Sequence, residues 1–288
     1  MTNTRESLHR RISALIDRLA DGSRDDRARD ALLCEVLGWQ AGQVKSYGRL
    51  LRARGIDPGA LAASGDCRPD RLPALPTDVF RYARVAVHGR RDDARVFRTS
   101  GTTVGKRGEH YLSDLSLSLY DRAARAAAAH ALFSDREAIR LLILAAPAEQ
   151  ATDSSLCYML SRFVKWFGAP GSQHLWRDGA LDVGDLQKAL DRASGSSQPV
   201  ALLGTSLAFV YAEHSLRGAG WSLPPGSRIM LTGGFKGRSR EVQPGEIVVH
   251  RITRQSPAPH SSQTSIDPAM AGDMSCSALS VTAVALDP

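Results

Sequence analysis

The segment with the strongest chemical signal combines hydroxyl side chains, two glycines and a lysine: Thr99-Ser100-Gly101-Thr102-Thr103-Val104-Gly105-Lys106. Hydroxyls and backbone N–H groups in such a loop can approach phosphate oxygens closely, because glycine permits backbone conformations that larger residues resist. Lys106 adds a mobile cation. The segment therefore predicts a phosphate-binding loop, with an ordinary Gly/Thr turn as the alternative.

The spacing of this loop argues against the Walker type of phosphate loop. That motif requires the pattern GxxxxGK followed by Ser or Thr. Here Ser100 stands at the first glycine position, and Arg107 follows the lysine. A phosphate site at this position must therefore be of another class.

A second glycine-rich turn follows the short predicted strand SRIMLT. It combines one hydroxyl, three glycines and two cations in the order Thr232-Gly233-Gly234-Phe235-Lys236-Gly237-Arg238. Lys236 or Arg238 could meet a phosphate. A tight turn with solvated cations explains the same residues.

Metal chemistry and serine-hydrolase chemistry receive no support from motifs. The four cysteines, Cys34, Cys67, Cys157 and Cys276, are far apart and form no CxxC pair, so we expect free thiols and no zinc site. The eight histidines show neither HxH nor HExxH spacing. No GxSxG elbow is present.

Composition indicates an ordinary soluble protein. Hydrophobic residues make up 43% and charged residues 23% of the 288-residue chain. The net charge of +7 comes from arginines scattered along the whole length, which favours a solvated basic surface over nucleic-acid binding. No apolar run approaches the roughly 20 residues of a membrane span, and the start resembles no secretory signal, so we expect a cytoplasmic protein.

Hydrophobic periodicity divides the chain into three regions. Residues 1–75 read as helical, with apolar residues at steps of three and four between residues 4 and 64. Residues 76–245 alternate strands with helices, which is typical of an α/β layer architecture. The predicted strands are ARVAVHG, ARVFR, IRLLILAAP, PVALLGTSLAFVYA (with a small-residue turn) and SRIMLT, and the predicted helices include residues 113–133 and SSLCYMLSRFVKWFG. Residues 246–288 show no sustained period and are expected to form a flexible tail.

The loop and its neighbours resemble a known family. The string FRTSGTTVGKRGEHYLSD is similar to the phosphate loop of adenylate-forming enzymes, and more similar still to the acyl-protein synthetases of bacterial luminescence operons, the LuxE family. LPALPTDVFRYARV before it, and DSSLCYMLSRFVKWFG, LLGTSLAFVYAEH and MLTGGFKGRSREV after it, resemble family blocks in the same order. The resemblance covers residues 70–242.

The resemblance implies an α/β fold that is part of an adenylating domain, preceded by a helical region and followed by an irregular tail. It also implies ATP-dependent activation of a long-chain fatty acid as its acyl-adenylate, with Mg²⁺ as cofactor, and transfer to a protein thiol. An acyl-accepting or reductase protein is the expected partner. Nucleotide-binding roles then fall on residues of both glycine-rich turns: Thr99, Ser100, Gly101, Thr102, Thr103, Gly105 and Lys106, and Thr232, Gly233, Gly234, Lys236 and Arg238.

The sequence departs from the family pattern after residue 242. The aromatic-Gly-x-Thr-Glu segment, the ribose-binding aspartate and the hinge with a catalytic lysine are not found, and the surroundings of Cys276 do not match the family's acyl-accepting cysteine. One hypothesis is a truncated or frame-shifted gene product with impaired turnover. Two further functions remain open: a non-catalytic nucleotide- or acyl-binding partner protein, and an acyl-CoA ligase of the phenylacetate type.

Overall fold

The chain divides into two compact units with separate hydrophobic clusters. A computed structural model describes residues 2–65, 72–99, 106–216, 220–232, 263–265 and 281–285. The first unit is Met1–His130 and the second is Ala131–Pro288. The divisions after residues 75 and 245 stay predictions from the sequence.

The first unit begins with the predicted helices. They are α1 Thr2–Arg18, α2 Asp26–Gln43, α3 Lys45–Ala53 and α4 Pro58–Ser64. Asp25 caps α2 by accepting a hydrogen bond from the Ala28 amide at 3.0 Å, and Asp57 caps α4 in the same way at 2.8 Å from Ala60. The helical prediction for this region is confirmed. Pro58 begins α4, because proline suits the first helical position.

The predicted strand ARVAVHG does not form. Its residues are irregular, between a short helix α5, Val79–Tyr82, and a 3-10 turn, Arg90–Asp92. Val85 and Val87 nevertheless pack side by side against a helical cluster of Ala41, Val44, Tyr47 and Leu51. Both are half-buried, as is Ala86 between them, and His88 is buried, so the alternation of the sequence does not mark a single buried face. The expected strand does not form because, among the described residues, no other strand lies beside this segment and pairs with it.

A β-hairpin and a long helix complete the first unit. Strand β1, Arg95–Arg98, pairs antiparallel with β2, Glu109–Leu112, and helix α6, Asp114–Ala131, follows. The helix confirms the prediction for residues 113–133, whereas β2 was not predicted. Helix α6 is tied to α1 by an ion pair between Arg122 and Asp17 at 2.6 Å.

The second unit contains a parallel sheet, as the α/β prediction requires. Four strands, β3 Arg140–Leu144, β4 Gln173–His174, β7 Val200–Thr205 and β8 Arg228–Thr232, lie in the order β4-β3-β7-β8. A small hairpin of β5, Trp176–Arg177, and β6, Ala180–Leu181, lies between β4 and β7 in the chain. The connecting helices are α7 Ser155–Phe167, α8 Val183–Ser194 and α9 Ser206–Ser215.

Burial explains why the central strands could be predicted. Leu141 to Leu144 of β3 and Val200 to Leu203 of β7 are almost completely inaccessible to solvent. Parallel strands that are covered on both faces carry continuous apolar runs rather than alternating ones. The runs IRLLILAAP, PVALLGT and SRIMLT therefore correspond to β3, β7 and β8. The second half of the predicted strand PVALLGTSLAFVYA is wrong: it forms helix α9, because Thr205 ends β7 and caps the helix by accepting a hydrogen bond from the Ala208 amide. Strands β4 to β6 were not predicted because each has two residues, and helix α8 was not predicted either.

Two strands from the C-terminal region extend the sheet. Strand β10, Val281–Ala285, pairs antiparallel with β8, and β9, Gln263–Ser265, pairs antiparallel with β10. The prediction of a tail without regular structure is therefore wrong for these two segments. Without β10, the backbone groups of β8 on this side would lack ladder partners, which is an unfavourable state for a sheet edge.

The cysteine prediction holds in part. Cys157 is a half-buried free thiol. Cys34 is completely buried and disulfide-bonded, so the expectation of a free thiol there is wrong. Its partner lies outside the described residues. Cys34 Sγ is 3.4 Å from Ser64 Oγ, which shows that the chain returns to Cys34 at the end of α4 despite the long separation in sequence.

The described residues contain no group of three or more His, Cys, Asp or Glu side chains that could hold a metal ion. None of the helices in the described ranges is long and apolar enough to cross a membrane.

A substitution at Gly204 tests how closely the strands of the parallel sheet are packed. A Cβ atom at Gly204 would lie 2.8 Å from Leu144 Cβ on the adjacent strand, and both residues are buried. We expect Gly204→Ala to lower the free energy of unfolding by about 1–3 kcal/mol, because a filled core resists an added methyl group. Urea unfolding measures this. The control is Gly184→Ala in α8, where the nearest atom would be 3.7 Å away, and which we expect to be neutral or stabilising. Equal stability of both variants would contradict the packing.

Asp135 tests the electrostatics of the second unit. Burial opposes its ionisation, but hydrogen bonds from Arg136 and Arg228 outweigh burial and lower its pKa to about 2. Because the folded-state pKa lies below the ordinary value, the stabilisation is complete above about pH 4 and is lost as the pH falls toward the folded-state pKa. The Asp135 side chain is 47% exposed, so we expect Asp135→Asn to cost at most about 1 kcal/mol at pH 7.

The measurement for Asp135 is thermal unfolding of the wild type and the variant between pH 7 and pH 2. The difference in stability should shrink below pH 4. Glu149→Gln, a change at an exposed carboxylate, is the control. A difference that stays constant down to pH 2 would show that Asp135 acts through packing and not through its charge.

Candidate functional site

The predicted phosphate loop lies between the two strands of the β1–β2 hairpin. The Thr99 amide donates a hydrogen bond to the Gly108 carbonyl at 2.9 Å, and the Gly108 amide donates to Thr99 Oγ1 at 3.0 Å. These two bonds continue the pairing of Arg98 with Glu109 by one step. The ends of the loop are therefore held together by strand pairing.

Gly108 lies at a close approach to its neighbours. A Cβ atom there would lie 3.1 Å from Thr99 Cγ2 and 3.4 Å from Phe80 Cβ. The absence of a side chain lets the two ends of the loop approach each other beneath Phe80. Sequence reasoning missed Gly108, although a glycine directly after the cationic end of a loop was a signal for such a contact.

The inner face of the hairpin is packed against other parts of the first unit. Phe97 is almost fully buried, and its ring centroid is 5.8 Å from that of Tyr120 on α6. His110 stacks on Phe80 with a centroid separation of 4.3 Å. Burial lowers the pKa of His110, so its ring stays neutral near pH 7. His110 is therefore a packed side chain of the hairpin.

The outer face of the hairpin carries a polar network. Arg98 contacts Glu109 at 3.0 Å, and the Tyr111 hydroxyl donates a hydrogen bond to the same carboxylate. These bonds lower the pKa of Glu109 and raise the pKa of Tyr111. The Arg84 guanidinium lies 4.1 Å from the centroid of the Tyr111 ring, a cation–π arrangement. The hairpin is thus anchored on both faces.

Arg84 extends this network to a buried histidine. It forms two hydrogen bonds with Asp93, at 2.6 and 2.9 Å, which lower the pKa of Asp93. His88 Nε2 lies 3.0 Å from Asp93 Oδ1, and the side chain of His88 is 1% exposed. Burial lowers the pKa of His88 despite the neighbouring carboxylate. The ion pair between Arg84 and Asp93 therefore fixes the position of the segment that leads into β1.

The two cations at the end of the loop differ in their contacts. Arg107 Nε donates a hydrogen bond to the Thr99 carbonyl at 2.6 Å, so this guanidinium helps to close the loop. Lys106 is exposed, and its charge contributes to the low pKa of Glu109. Lys106 is therefore the cation at this end that is placed to meet an anion from solvent.

The residues around the loop do not fit a magnesium site. Mg²⁺ in nucleotide sites is held by one or two carboxylates together with phosphate oxygens. Within the described ranges, the carboxylate next to the loop is Glu109, and both of its oxygens already accept hydrogen bonds, from Arg98 and from Tyr111. We therefore assign no Mg²⁺ ligand among the described residues and no chemical step to the ion.

The second glycine-rich turn begins at the carboxyl edge of the sheet in the second unit. Thr232 is the last residue of β8, is 1% exposed, and lies beside Thr205 in the strand register. Its hydroxyl has no hydrogen-bond partner among the described residues. Thr205 accepts a hydrogen bond from the Ala208 amide at 3.1 Å and thereby caps helix α9.

The strand order reverses at β3, which is adjacent to β4 on one side and to β7 on the other. In open α/β sheets, ligands bind in the crevice beyond the carboxyl ends of the strands at such a reversal. Here those ends are Leu144 and Thr205. Gly204 permits the close contact of β7 with Leu144, which accounts for the small residue at this point without any ligand.

The predicted site residues are only partly described. Thr99 and Lys106 belong to the first unit and Thr232 to the second. The others lie outside the described residues: Ser100, Gly101, Thr102, Thr103, Gly105, Gly233, Gly234, Lys236 and Arg238. Their assignment to nucleotide binding stays a prediction from the sequence.

A polar chain after β3 was not predicted at all. The Ala148 amide donates to Ser161 Oγ at 2.9 Å, Ser161 Oγ lies 3.4 Å from His174 Nε2, and His174 Nδ1 lies 3.0 Å from the Ala145 carbonyl. These residues come from the loop after β3, from α7 and from β4. No sequence motif could reveal them, because the fold brings together residues that are far apart in the chain.

Comparisons with protein-family models, with curated proteins and with solved structures found no match to this chain.

Thr99 tests the closure of the loop. We expect Thr99→Val to remove the acceptor of the Gly108 amide and to destabilise the hairpin by about 1 kcal/mol. Thr99→Ser keeps the hydroxyl and is the control. Hydrogen exchange of the Gly108 amide, followed by NMR, should be faster in the valine variant alone. Equal exchange rates in both variants would mean that the hydroxyl does not close the loop.

Proposed function

We propose that this chain takes part in ATP-dependent activation of a long-chain fatty acid as its acyl-adenylate, followed by transfer to a protein thiol. The proposal extends the resemblance of the loop and the later blocks to the acyl-protein synthetases of the LuxE family. The observation that carries it is the closure of the loop by the Thr99–Gly108 pair, with Lys106 exposed beside it.

The hairpin supports a phosphate-binding role on physical grounds. A loop that grips phosphate oxygens must keep its N–H groups and hydroxyls in place without rearrangement, because ordering them on binding would cost affinity. Strand pairing at Thr99 and Gly108, packing of Phe97 below, and the Arg98–Glu109 ion pair above restrict the loop ends. Lys106 provides the positive charge that a polyphosphate requires.

Acyl-adenylate formation requires this kind of restraint. A carboxylate oxygen attacks the α-phosphorus of ATP, and pyrophosphate leaves. The loop would hold the β- and γ-phosphate oxygens while negative charge builds on the leaving group. Residues 99 to 106 would therefore supply positioning and charge neutralisation, and the described residues are assigned no proton-transfer role.

The sheet of the second unit gives independent support for a ligand-binding α/β fold. Its strand order reverses at β3, and small or hydroxyl residues, Gly204, Thr205 and Thr232, stand at the carboxyl ends of β7 and β8. This is the edge at which α/β sheets commonly bind their ligands. The family resemblance assigns Thr232 and the following turn to the nucleotide or acyl pocket.

Lys106 tests the phosphate role. We expect Lys106→Ala to weaken ATP binding up to about fivefold, or ~1 kcal/mol, because one exposed charge–charge contact is lost. Isothermal titration at low ionic strength measures the affinity. Arg91→Ala removes an equally exposed cation from the same unit and is the matched control. Equal ATP affinities of both variants and the wild type would show that Lys106 does not contact the nucleotide.

Activity is tested by fatty-acid-dependent exchange of pyrophosphate with ATP on the purified full chain. Exchange that requires the fatty acid, with acyl transfer to an added protein thiol, supports the proposal. ATP or fatty-acid binding without exchange would instead identify a non-catalytic binding partner. Exchange followed by efficient transfer to CoA would identify an acyl-CoA ligase of the phenylacetate type. Absence of both binding and exchange would reject all three.

A further inference from the structure

We propose that Ser161 and His174 form a serine–histidine dyad that accepts an acyl group from an activated ester or thioester. The dyad lies in the second unit, where the loop after β3 meets α7 and β4. It uses neither residues 99 to 106 nor the turn after Thr232. The proposal therefore stands independently of ATP-dependent activation.

The hydrogen bonds define the protonation of the dyad. A carbonyl oxygen only accepts hydrogen bonds, so His174 Nδ1, 3.0 Å from the Ala145 carbonyl, must carry its proton. In the neutral ring, Nε2 is then an acceptor and lies 3.4 Å from Ser161 Oγ. The Ala148 amide already donates to Ser161 Oγ, which leaves the hydroxyl proton to point at Nε2. This is the direction of proton transfer that a nucleophilic serine requires.

The arrangement has the three parts of an activated nucleophile. A hydroxyl lies next to a base, and a third group, the Ala145 carbonyl, orients the base. The distance of 3.4 Å from Ser161 to His174 is longer than an ideal hydrogen bond, and such contacts shorten when the substrate binds. Both side chains are half-buried, so they are neither sealed in the core nor fully solvated.

A second serine–histidine pair shows what distinguishes the dyad. His9 Nε2 lies 2.8 Å from Ser118 Oγ between α1 and α6, a shorter separation. Among the described residues, however, no group hydrogen bonds to the other ring nitrogen of His9, so nothing there fixes its tautomer. Ser118 also donates to the Leu115 carbonyl at 2.9 Å, which directs its proton away from the ring. Ser118 is therefore a matched control.

The reaction balances without a cofactor. Ser161 Oγ attacks the acyl carbonyl carbon, and its proton passes to His174 Nε2. The bond from that carbon to the leaving oxygen or sulfur breaks, and the leaving group takes the proton from His174. The products are acyl-Ser161 and the free alcohol or thiol.

The experiment treats the full chain, without ATP, with a fluorophosphonate probe and, separately, with p-nitrophenyl octanoate. We expect one probe per chain on the peptide containing Ser161, and a burst of p-nitrophenolate. His174→Asn keeps a donor at the position of Nδ1 but removes the base, so it should lower the rates at least ~100-fold without unfolding the protein. Ser118→Ala should react like the wild type.

Two results would overturn the dyad. The first is absence of probe at Ser161, including labelling of Cys157 on the same helix instead. The second is a His174→Asn variant that folds and reacts as fast as the wild type. That result would show that Ser161 and His174 only hold the loop after β3 in place. If Ser161→Ala fails to fold, the His174 variant still decides between these outcomes. Failure of pyrophosphate exchange would not affect this test, since no nucleotide is present.

Discussion

The pairing of Thr99 with Gly108 is the constraint on which the proposed phosphate site depends. Two hydrogen bonds join these residues, and the missing side chain of Gly108 allows the close contact. Without them, the loop ends would be free to separate, and the conformational entropy lost on gripping a ligand would be larger. The Phe97 core on one face and the Arg84–Tyr111–Glu109–Arg98 network on the other keep the two strands in register.

The second unit depends on a different constraint, the close contact of β3 and β7. Gly204 lets β7 approach Leu144, and the parallel register runs from Arg140–Val200 to Leu144–Gly204. This contact places the start of α9 and the loop after β3 at the same edge of the sheet. The Ser161–His174 pair lies at the same edge, on the side of β4. The sheet therefore positions both the proposed dyad and the proposed ligand-binding edge at β7 and β8.

Much of this fold could be predicted from the sequence because burial leaves a strong pattern. The apolar runs of β3, β7 and β8, the helical period of residues 4 to 64 and the Ala-rich α6 all follow from faces that avoid water. The strand predicted at residues 83 to 89 failed because Val85 and Val87 pack against helices instead of forming a ladder. Strand β2 escaped notice because its four residues, Glu109–Leu112, are all half-buried and show no alternation.

The candidate sites also differ in how far the sequence alone could predict them. Residues 99 to 106 could be proposed as a phosphate loop from sequence because such a loop concentrates its residue types in one segment. Ser161 and His174 could not, because their proximity arises only when β4 pairs with β3. The disulfide at Cys34 was missed for a similar reason, since spacing along the chain does not report that α4 returns to α2. The family resemblance supplied a proposed function, whereas the fold supplied the contacts that restrict the ends of the loop.

The most direct test of the central claim is an NMR titration of the full chain with an ATP analogue that carries a methylene bridge between the α- and β-phosphates. If the loop binds the phosphates, the backbone amides of residues 99 to 108 should show the largest, saturable chemical-shift changes. Unchanged amides in this segment at a saturating concentration, or saturable changes confined to other residues, would contradict the account.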